Sequence, residues 1–441
     1  MKETSIRICA AIVLSTSMGQ TVHADDLWQI FSLATSNDAQ VSEARSRYEA
    51  SHTLVAQGRS QLMPSVTLQG NSGRNAQAPA LAFTHAQGFN SHGWGLNLNQ
   101  NLMNFEAWYA FQAAKQSDLQ AATNLAIAEQ DLIVRVAVAY FDVLRSQDNL
   151  EAFIAEEEAA ERILQQTEES FDVGLNTVTD VFQSQSSYDL ARVNRLVEEN
   201  NLSQKLEALE LLTGQSHQMI EGLDESFPIQ NAEPANMNLW EELASENNLA
   251  VKAAEYDFKA KAQDVRSAKA RHLPSLTLSA GYNYNAEAQN PFSFFEGVAS
   301  ERTNITLNIS VPIFTGGLNS ARKRQAHYTR NASEDFLQFT RREAVQNIRN
   351  AYRGVQTDVL TVAARQQAIV SARSALEATE VGAEVGTRNI VDVVLAQRTL
   401  YQALRDYSNA RYTYVVNTLN LKRSAGILSP QDLVELNEWI N

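Results

Sequence analysis

Val173-Gly174-Leu175-Asn176-Thr177-Val178-Thr179-Asp180 and, 212 residues later, Val385-Gly386-Thr387-Arg388-Asn389-Ile390-Val391-Asp392 are two copies of one pattern, each continuing into a further valine. In both, a helical pattern of about sixty residues runs into the glycine and another of over thirty leaves from the aspartate. Glycine suits the position after a helix where φ must be positive, and the Thr or Asn that follows caps a returning helix. Each copy is therefore the tip of a helical hairpin. Two such tips predict a tandem duplication ending in paired hairpins.

The halves match beyond the tips. Leu239-Trp240 repeats Leu27-Trp28, Leu273-Pro274-Ser275-Leu276-Thr277-Leu278 repeats Met63-Pro64-Ser65-Val66-Thr67-Leu68, and Gly426 repeats Gly214. The spacing is 212 except at the prolines, where it is 210, which places a two-residue change in the first helix. The expected organisation is a first repeat over 25–214, a linker over 215–238, a second repeat over 239–426, and a terminal segment over 427–441 with a short helix begun by Ser429-Pro430.

Within each repeat the periodicity changes from helix to strand and back. Residues 28–62 read as one helix that stops before Pro64. The hairpin regions 65–103 and 275–312 alternate with period two, Val66, Leu68, Trp94, Leu96, Leu98, Leu276, Leu278, Tyr282, Leu307 and Ile309 against Ser, Thr, Asn, Gln and Gly. Helices resume at about 105–171 and 319–380. The first carries a seven-residue seam at Leu119, Ala122, Ala126, Ile133, Val136, Tyr140 and Val143, and the second at Ile348, Tyr352, Val355, Val359, Val362, Ile369 and Leu376. Such a seam marks a coiled coil. Glu156-Glu157-Glu158 reads as a solvated face.

Composition narrows the function. The formal net charge is −15 and the basic residues form no run, which excludes a nucleic-acid partner. Residues 1–24 read as a signal peptide: Lys2 and Arg7, an apolar core from Ile8 to Leu14, then Val22-His23-Ala24 as a cleavage site. Removing it takes the net charge to −16. Cys9 is the single cysteine, lies inside that segment and sits in no lipoprotein box, so thiolate metal sites and disulfides are excluded. The histidines show no ligand spacing, and His85 and His92 read as surface residues of one loop. Neither a nucleotide-binding nor a hydrolase motif occurs. No cofactor and no enzyme activity are expected.

Helix lengths supply a geometric constraint. A helix of about 67 residues spans roughly 100 Å, and two of about 35 residues stacked end to end match it. No segment after residue 24 is long and apolar enough to span a bilayer as a helix. Four strands of about ten residues do fit an outer membrane when tilted. Four strands cannot close a barrel, and open edges are forbidden in lipid. Several copies must therefore share one barrel, and three give twelve strands.

The strand-helix duplication, the Leu-Pro-Ser-Leu-Thr-Leu and Val-Pro-Ile-Phe-Thr-Gly-Gly segments and the two tips closely resemble the TolC family of outer-membrane efflux and secretion channels. The resemblance covers essentially residues 25–440. It implies a mixed α/β membrane protein: a homotrimer with a twelve-stranded β-barrel in outer-membrane lipid, joined to a twelve-helix coiled-coil tunnel through the periplasm. It also implies a passive exit duct for a tripartite efflux pump or type I secretion system. The partners would be a periplasmic adaptor and an inner-membrane pump or ABC transporter. A secreted trimeric coiled coil of structural or adhesive role is the alternative from another class.

The resemblance also assigns residues. The aspartate matching Asp392 faces the pore at the closed tip, and the arginine matching Arg388 links neighbouring helices through the residues matching Asp180 and Thr179. Read from the residues alone, Asp180 and Asp392 are equally well charges favoured by helix N-termini. Gly174, Leu175, Gly386 and Thr387 lie at the outermost turn, where the family's adaptors dock. Leu276, Leu278, Leu307 and Ile309 would face lipid. Two departures bear on the gate: Ala383 stands where close members have a tyrosine that helps hold the tip shut, and Leu395 where they have a second pore aspartate.

Overall fold

Asp38 and Asn248 break what the periodicity predicts as single helices, and the break organises the whole bundle. In the computed structural model, which describes residues 25–77, 87–288 and 299–440, α1 (Leu27–Asn37) ends and α2 (Ala39–Ser60) begins around Asp38. The second repeat does the same with α5 (Met237–Asn247) and α6 (Leu249–Ala270) around Asn248. Each break residue caps the following helix: the Asp38 carboxylate accepts from Val41 N at 2.8 Å, and the Asn248 amide oxygen accepts from Val251 N at 3.1 Å. Residues 28–62 are thus two helices, because a side chain that satisfies free helix-end N–H groups stabilises a start wherever it falls.

The strands are β1 (Ser65–Gln77), β2 (Gln87–Met103), β3 (Ser275–Glu287) and β4 (Ala299–Ser310). The long helices are α3 (Phe105–Asp172) and α7 (Leu318–Glu384), with return helices α4 (Val178–Thr213) and α8 (Ile390–Ala425) and a terminal α9 (Pro430–Asn437). The caps place the two-residue change. Asp26 and Asp38 correspond to Asn236 and Asn248, and Ser65 to Ser275, all 210 apart, whereas the tips are 212 apart. The change therefore lies beyond the first helix, between the start of the hairpin and the tip. Leu27-Trp28 and Leu239-Trp240 are not equivalents: Trp28 is exposed, and Trp240 is buried with its indole N–H on Pro234 O at 2.8 Å.

Short helices do stack end to end. Asn37 Nδ2 donates to Thr213 O at 2.8 Å, joining the end of α4 to the start of α2, and Asn248 Nδ2 donates to Ser424 O at 3.0 Å, joining α8 to α6. The upper helices have 22 residues each, shorter than the expected 35, because α1 and α5 turn away. Across the layer the order is α2 over α4, then α3, then α6 over α8, then α7.

Strand order follows the same sequence, β1-β2-β3-β4, all antiparallel. Residues directly opposite one another share a face. The register Val66–Leu98–Ala280–Ile305, with Leu68–Leu96–Tyr282, Leu278–Leu307 and Leu276–Ile309, makes one face apolar across all four strands. Thr67–Asn97–Gly281–Asn304 runs along the other. At 13, 17, 13 and 12 residues the strands exceed the expected ten. Strands β1 and β4 are both edges, directly above the layer's edge helices α2 and α7.

The main core sits midway down the bundle, where Leu27, Ile30 and Ala34 of α1 meet Val136, Tyr140, Phe141 and Val143 of α3, Ile348 and Val355 of α7, and Val415 and Leu419 of α8. The seam positions Ile133, Val136, Tyr140 and Val143 are buried there, whereas Leu119 is exposed. Residues 215–238 pack on this core as a strap. Ile220 bridges to Asp25 and Leu223 to Ile440, Tyr140 Oη donates to Glu221 O at 2.6 Å, and Tyr414 Oη donates to Gln230 O at 2.8 Å. Desolvation in this core pushes the Tyr140 and Tyr412 hydroxyls far above the usual phenol range.

Of Glu156-Glu157-Glu158, read as a solvated face, only Glu158 is exposed. Glu156 is buried and accepts from Arg405 Nη1 at 2.8 Å, tying α3 to α8, while the Arg405 guanidinium lies 4.0 Å from the centre of the Phe153 ring. Glu157 pairs with Arg195 of α4. A buried carboxylate needs such a partner, and a run of acids in the sequence does not reveal which of them has one. The signal-peptide segment and the loop holding His85 lie outside the described residues.

Candidate functional site

Both tips are built alike. The long helix is capped at its end by Val173 or Val385, and the next residue is a glycine with φ of 79° at Gly174 and 76° at Gly386. Nothing lies within 4 Å of a Cβ added at either, so the positive φ alone demands glycine there. The chain then turns back on the helix: Leu175 N donates to Ser170 O at 2.8 Å, and Thr387 N and Arg388 N donate to Gly382 O at 2.8 and 3.0 Å.

Each returning helix starts with a capping box. Thr177 and Asp180 exchange side-chain to backbone bonds, with Thr177 N on Asp180 Oδ2 at 2.9 Å and Thr177 Oγ1 on the same oxygen at 2.7 Å. The Thr177 hydroxyl, followed by its backbone N–H, holds the Asp180 carboxyl below the usual carboxylate range. Asn389 and Asp392 form the second box, with Asp392 N on Asn389 Oδ1 at 2.9 Å but Asn389 N on Asp392 Oδ2 at 3.5 Å. Asp392 is thus the less tightly held of the two, although both serve as helix-capping charges.

Arg388 lies in the turn before α8, one residue ahead of the Asn389 cap. Within one chain its ion pair is with Asp392 in the first turn of α8, Nη1 to Oδ2 at 3.8 Å, while Thr179 and Asp180 stand on the other hairpin. The stem of Arg388 lies across Gly382: a Cβ there would sit 2.8 Å from Arg388 Cγ and 3.3 Å from Thr387 Oγ1. Ser170 is the corresponding residue of the first tip, where the chain has no glycine at this place. The Gly382-x-x-x-Gly386 spacing carried that signal, which tip chemistry alone does not reveal.

Ala383 belongs to a small apolar cluster. With Leu376 and Ile390 it packs on Ile163, Val393 and Val394, so α3 of the first hairpin is glued to α8 of the second near the tips. Below it, Thr167 Oγ1 and Ser184 Oγ lie 3.2 Å apart, both buried between α3 and α4. By contrast Val173, Leu175 and Phe182 on the first tip, and Val381, Val385 and Leu395 on the second, are exposed in the single chain. Leu175, at 79 % exposure, is an apolar side chain at the extreme end of the molecule with nothing covering it.

One arrangement elsewhere has the outline of a catalytic relay. His217 lies with Nδ1 2.7 Å from Asp25 Oδ2 and Nε2 2.8 Å from Thr213 Oγ1. Thr213 is fully buried in the core and bonded to Leu209 O, which bars it from any substrate. The trio ties the start of the described chain to the strap. Among the described residues no group of three or more His, Cys, Asp or Glu is placed to hold a metal ion.

Comparison with known proteins gives a consistent result. The TolC outer membrane protein of Vibrio cholerae is 34 % identical over 423 residues, 96 % of this chain and 95 % of that one. TolC of Escherichia coli is 31 % identical over 432 residues, covering 95 % of this chain and 85 % of its own. The protease secretion protein PrtF of Dickeya chrysanthemi is 26 % identical over 100 % of this chain and 96 % of its own. Among solved structures, CusC superposes with a TM-score of 0.80 at 18 % identity over 91 % of this chain and 92 % of that one. The Vibrio cholerae outer membrane protein VceC does so at 0.77 and 19 % over 91 % and 96 %. Residues 30–215 and 240–427 each match the outer membrane efflux protein family, and the chain belongs to that family.

Proposed function

We propose that three copies of this chain close a twelve-stranded barrel in the outer membrane and a tunnel of four helical columns per copy beneath it. The assembly would be the passive exit duct of a tripartite efflux pump or type I secretion system. The observation that supports this reading is the alignment of the sheet's edges with the edges of the helical layer. The sheet has one apolar face and two unpaired edges, β1 and β4, and each edge strand stands over an edge helix, α2 or α7. An open edge in lipid leaves unpaired backbone groups at several kcal/mol each, so the same edges must meet between copies.

Outer-membrane location and membership of a channel family, not an enzyme family, stand on the relatives. Those relatives carry efflux and protease-secretion names alike, in keeping with a duct whose cargo is chosen by the pump. Family membership sets aside the adhesive alternative. In our reading, Asp392, Arg388, Asp180 and Thr179 form the constriction, and the outermost turn of Gly174, Leu175, Gly386 and Thr387 receives the periplasmic adaptor. Leu276, Leu278, Leu307 and Ile309 meet lipid. The exposed apolar residues around the tips support a docking role, since a contiguous exposed apolar patch marks a contact surface. Purified from the outer membrane, the protein is expected as a trimer by mass that conducts ions in planar bilayers. A monomer recovered from soluble periplasm would refute the proposal.

A further inference from the structure

The part of the helical layer next to the sheet has the opposite charge to the rest of the chain. In the windows 50–60, 105–115, 260–270 and 318–328, the three turns of α2, α3, α6 and α7 adjoining the strands, there are eight Lys or Arg and two carboxylates, in a chain of net charge −15. Both carboxylates are engaged. Glu106 pairs with Arg271 at 2.7 Å, and Asp264 lies 3.9 Å from Lys261.

The cations divide between two sides of the layer. Ala288 donates its backbone N–H to Asn90 O, so even-numbered residues of β3 turn their backbone groups toward β2. For L-residues that fixes the side on which their side chains, the apolar set, project. Followed down the connecting helices at 3.6 residues per turn, the same side carries Arg59 of α2, Arg266 of α6 and Arg324 of α7. Lys269 and Lys323 flank the groove between α6 and α7 on that side. All five are exposed, and none has an ion pair among the described residues. Phe105 and Trp108 of α3, also exposed, stand among them. The opposite side carries Lys261, Asp264, Arg271 and Arg322 around a cleft of about 350 Å³.

We propose that Arg59, Arg266, Lys269, Lys323 and Arg324 form a collar that binds anionic phospholipid headgroups in the membrane leaflet facing the helical layer. Trp108 and Phe105 seat at the same level. The collar rests on the reading above that the apolar face of the sheet meets lipid. Unpaired cations directly below a lipid-facing surface meet the phosphates of that leaflet, where each contributes attraction that salt screens. Tryptophan, with its polar N–H edge, favours the same interfacial depth as Trp108 has here. On the other side of the layer the cations are partly neutralised by Glu106 and Asp264.

The test uses the full mature protein reconstituted in phosphatidylcholine vesicles, with brominated phosphatidylglycerol or brominated phosphatidylcholine as quencher of tryptophan emission. The difference between the wild type and Trp108→Phe isolates Trp108. Its quenching should favour phosphatidylglycerol by roughly threefold to tenfold at low salt and lose that preference at high salt. The combined change Arg59→Gln, Arg266→Gln, Lys269→Gln, Lys323→Gln and Arg324→Gln should abolish the preference, whereas Lys261→Gln with Arg322→Gln should keep it. If the five-site protein does not assemble, Lys323→Gln with Arg324→Gln alone should weaken the preference. Equal quenching by both lipids in the wild type, or an unchanged preference after these collar substitutions, overturns the collar. So does a collar variant that loses the trimer while the wild type has no lipid preference, since the cations then join copies of the chain. If Trp94, on the apolar face, is quenched by neither lipid, the membrane reading of the sheet falls and takes the collar with it.

Discussion

Arg135 of α3 grips Asp38 with both ends of its guanidinium, Nη1 to Oδ2 at 2.8 Å and Nη2 to Oδ1 at 2.9 Å. The carboxylate is buried and caps α2, so one side chain breaks the first helical stretch, starts the next helix and is held to a third.

Removing Arg135 while keeping Asp38 should cost about 3–5 kcal/mol, because a buried carboxylate loses its counter-charge. Arg135→Met is the variant, and the urea midpoint of the refolded or detergent-held protein is the measurement. The bond to Arg135, ahead of the backbone bonds, lowers the Asp38 pKa in the folded state. Its stabilisation is therefore fully present above the unfolded value of about 3.9 and disappears as pH falls through the lower folded value. Arg135→Met should flatten the acid limb of the stability curve in that window. An acid limb identical in the two proteins would show that Asp38 is not what titrates.

The faces of the sheet predict two kinds of mutant. Leu278→Lys or Leu307→Lys should destabilise the inserted trimer by up to about 2–4 kcal/mol near the bilayer midplane, while Thr277→Lys or Asn308→Lys should leave stability nearly intact and alter conductance. Unfolding in lipid vesicles and single-channel recording separate the two. Equal losses at both sets would contradict the assigned faces.

Arg388→Ser should raise the single-channel conductance of the isolated trimer. Its exposed pair with Asp392 contributes less than about 1 kcal/mol, so the open population should change by at most about fivefold for each subunit from that contact alone. A larger change would point to partners on a neighbouring copy. Gly382→Ala should move conductance in the same direction without removing a charge, since the added Cβ displaces the Arg388 stem. A Gly382→Ala channel indistinguishable from wild type would mean the stem position is irrelevant to closure.

Asp392→Asn keeps an acceptor for the cap and removes the charge, which separates the capping role from a pore role. Cation selectivity and block by multivalent cations from the periplasmic side should both weaken, because Leu395 offers no second ring of charge. Screening over about 10 Å at 0.1 M salt makes dilute electrolyte the condition of choice. Unchanged selectivity there would leave Asp392 as a helix cap only.

Much of this architecture is legible in the sequence, because local chemistry writes it. Glycine with positive φ and the capping residues Thr177 and Asn389 mark the tips, and period two marks the strands down to the shared face of Leu276, Leu278, Leu307 and Ile309. What is not legible depends on partners distant in the chain. Asp38 looks like any polar residue of an exposed helix until Arg135, 97 residues away, is brought to it. Glu156 looks solvated until Arg405 arrives from 249 residues away. At the tip, the sequence offers both carboxylates as helix caps and as pore charges. Capping geometry is present in both, and the looser bond at Asp392 is visible only in coordinates.

The stacking of edge strand over edge helix has a genetic consequence. In the proposed trimer, a ring built head to tail would give each copy two different seams, one through β1 and α2 and one through β4 and α7. A chain damaged only along β4 and α7 still offers a sound β1 and α2 edge, so it enters rings that it then cannot complete. In a cell making damaged and sound chains in equal amounts, random assortment leaves about one ring in eight free of damaged copies. Lesions along either edge are therefore expected to be dominant, and lesions confined to the hairpin interior recessive.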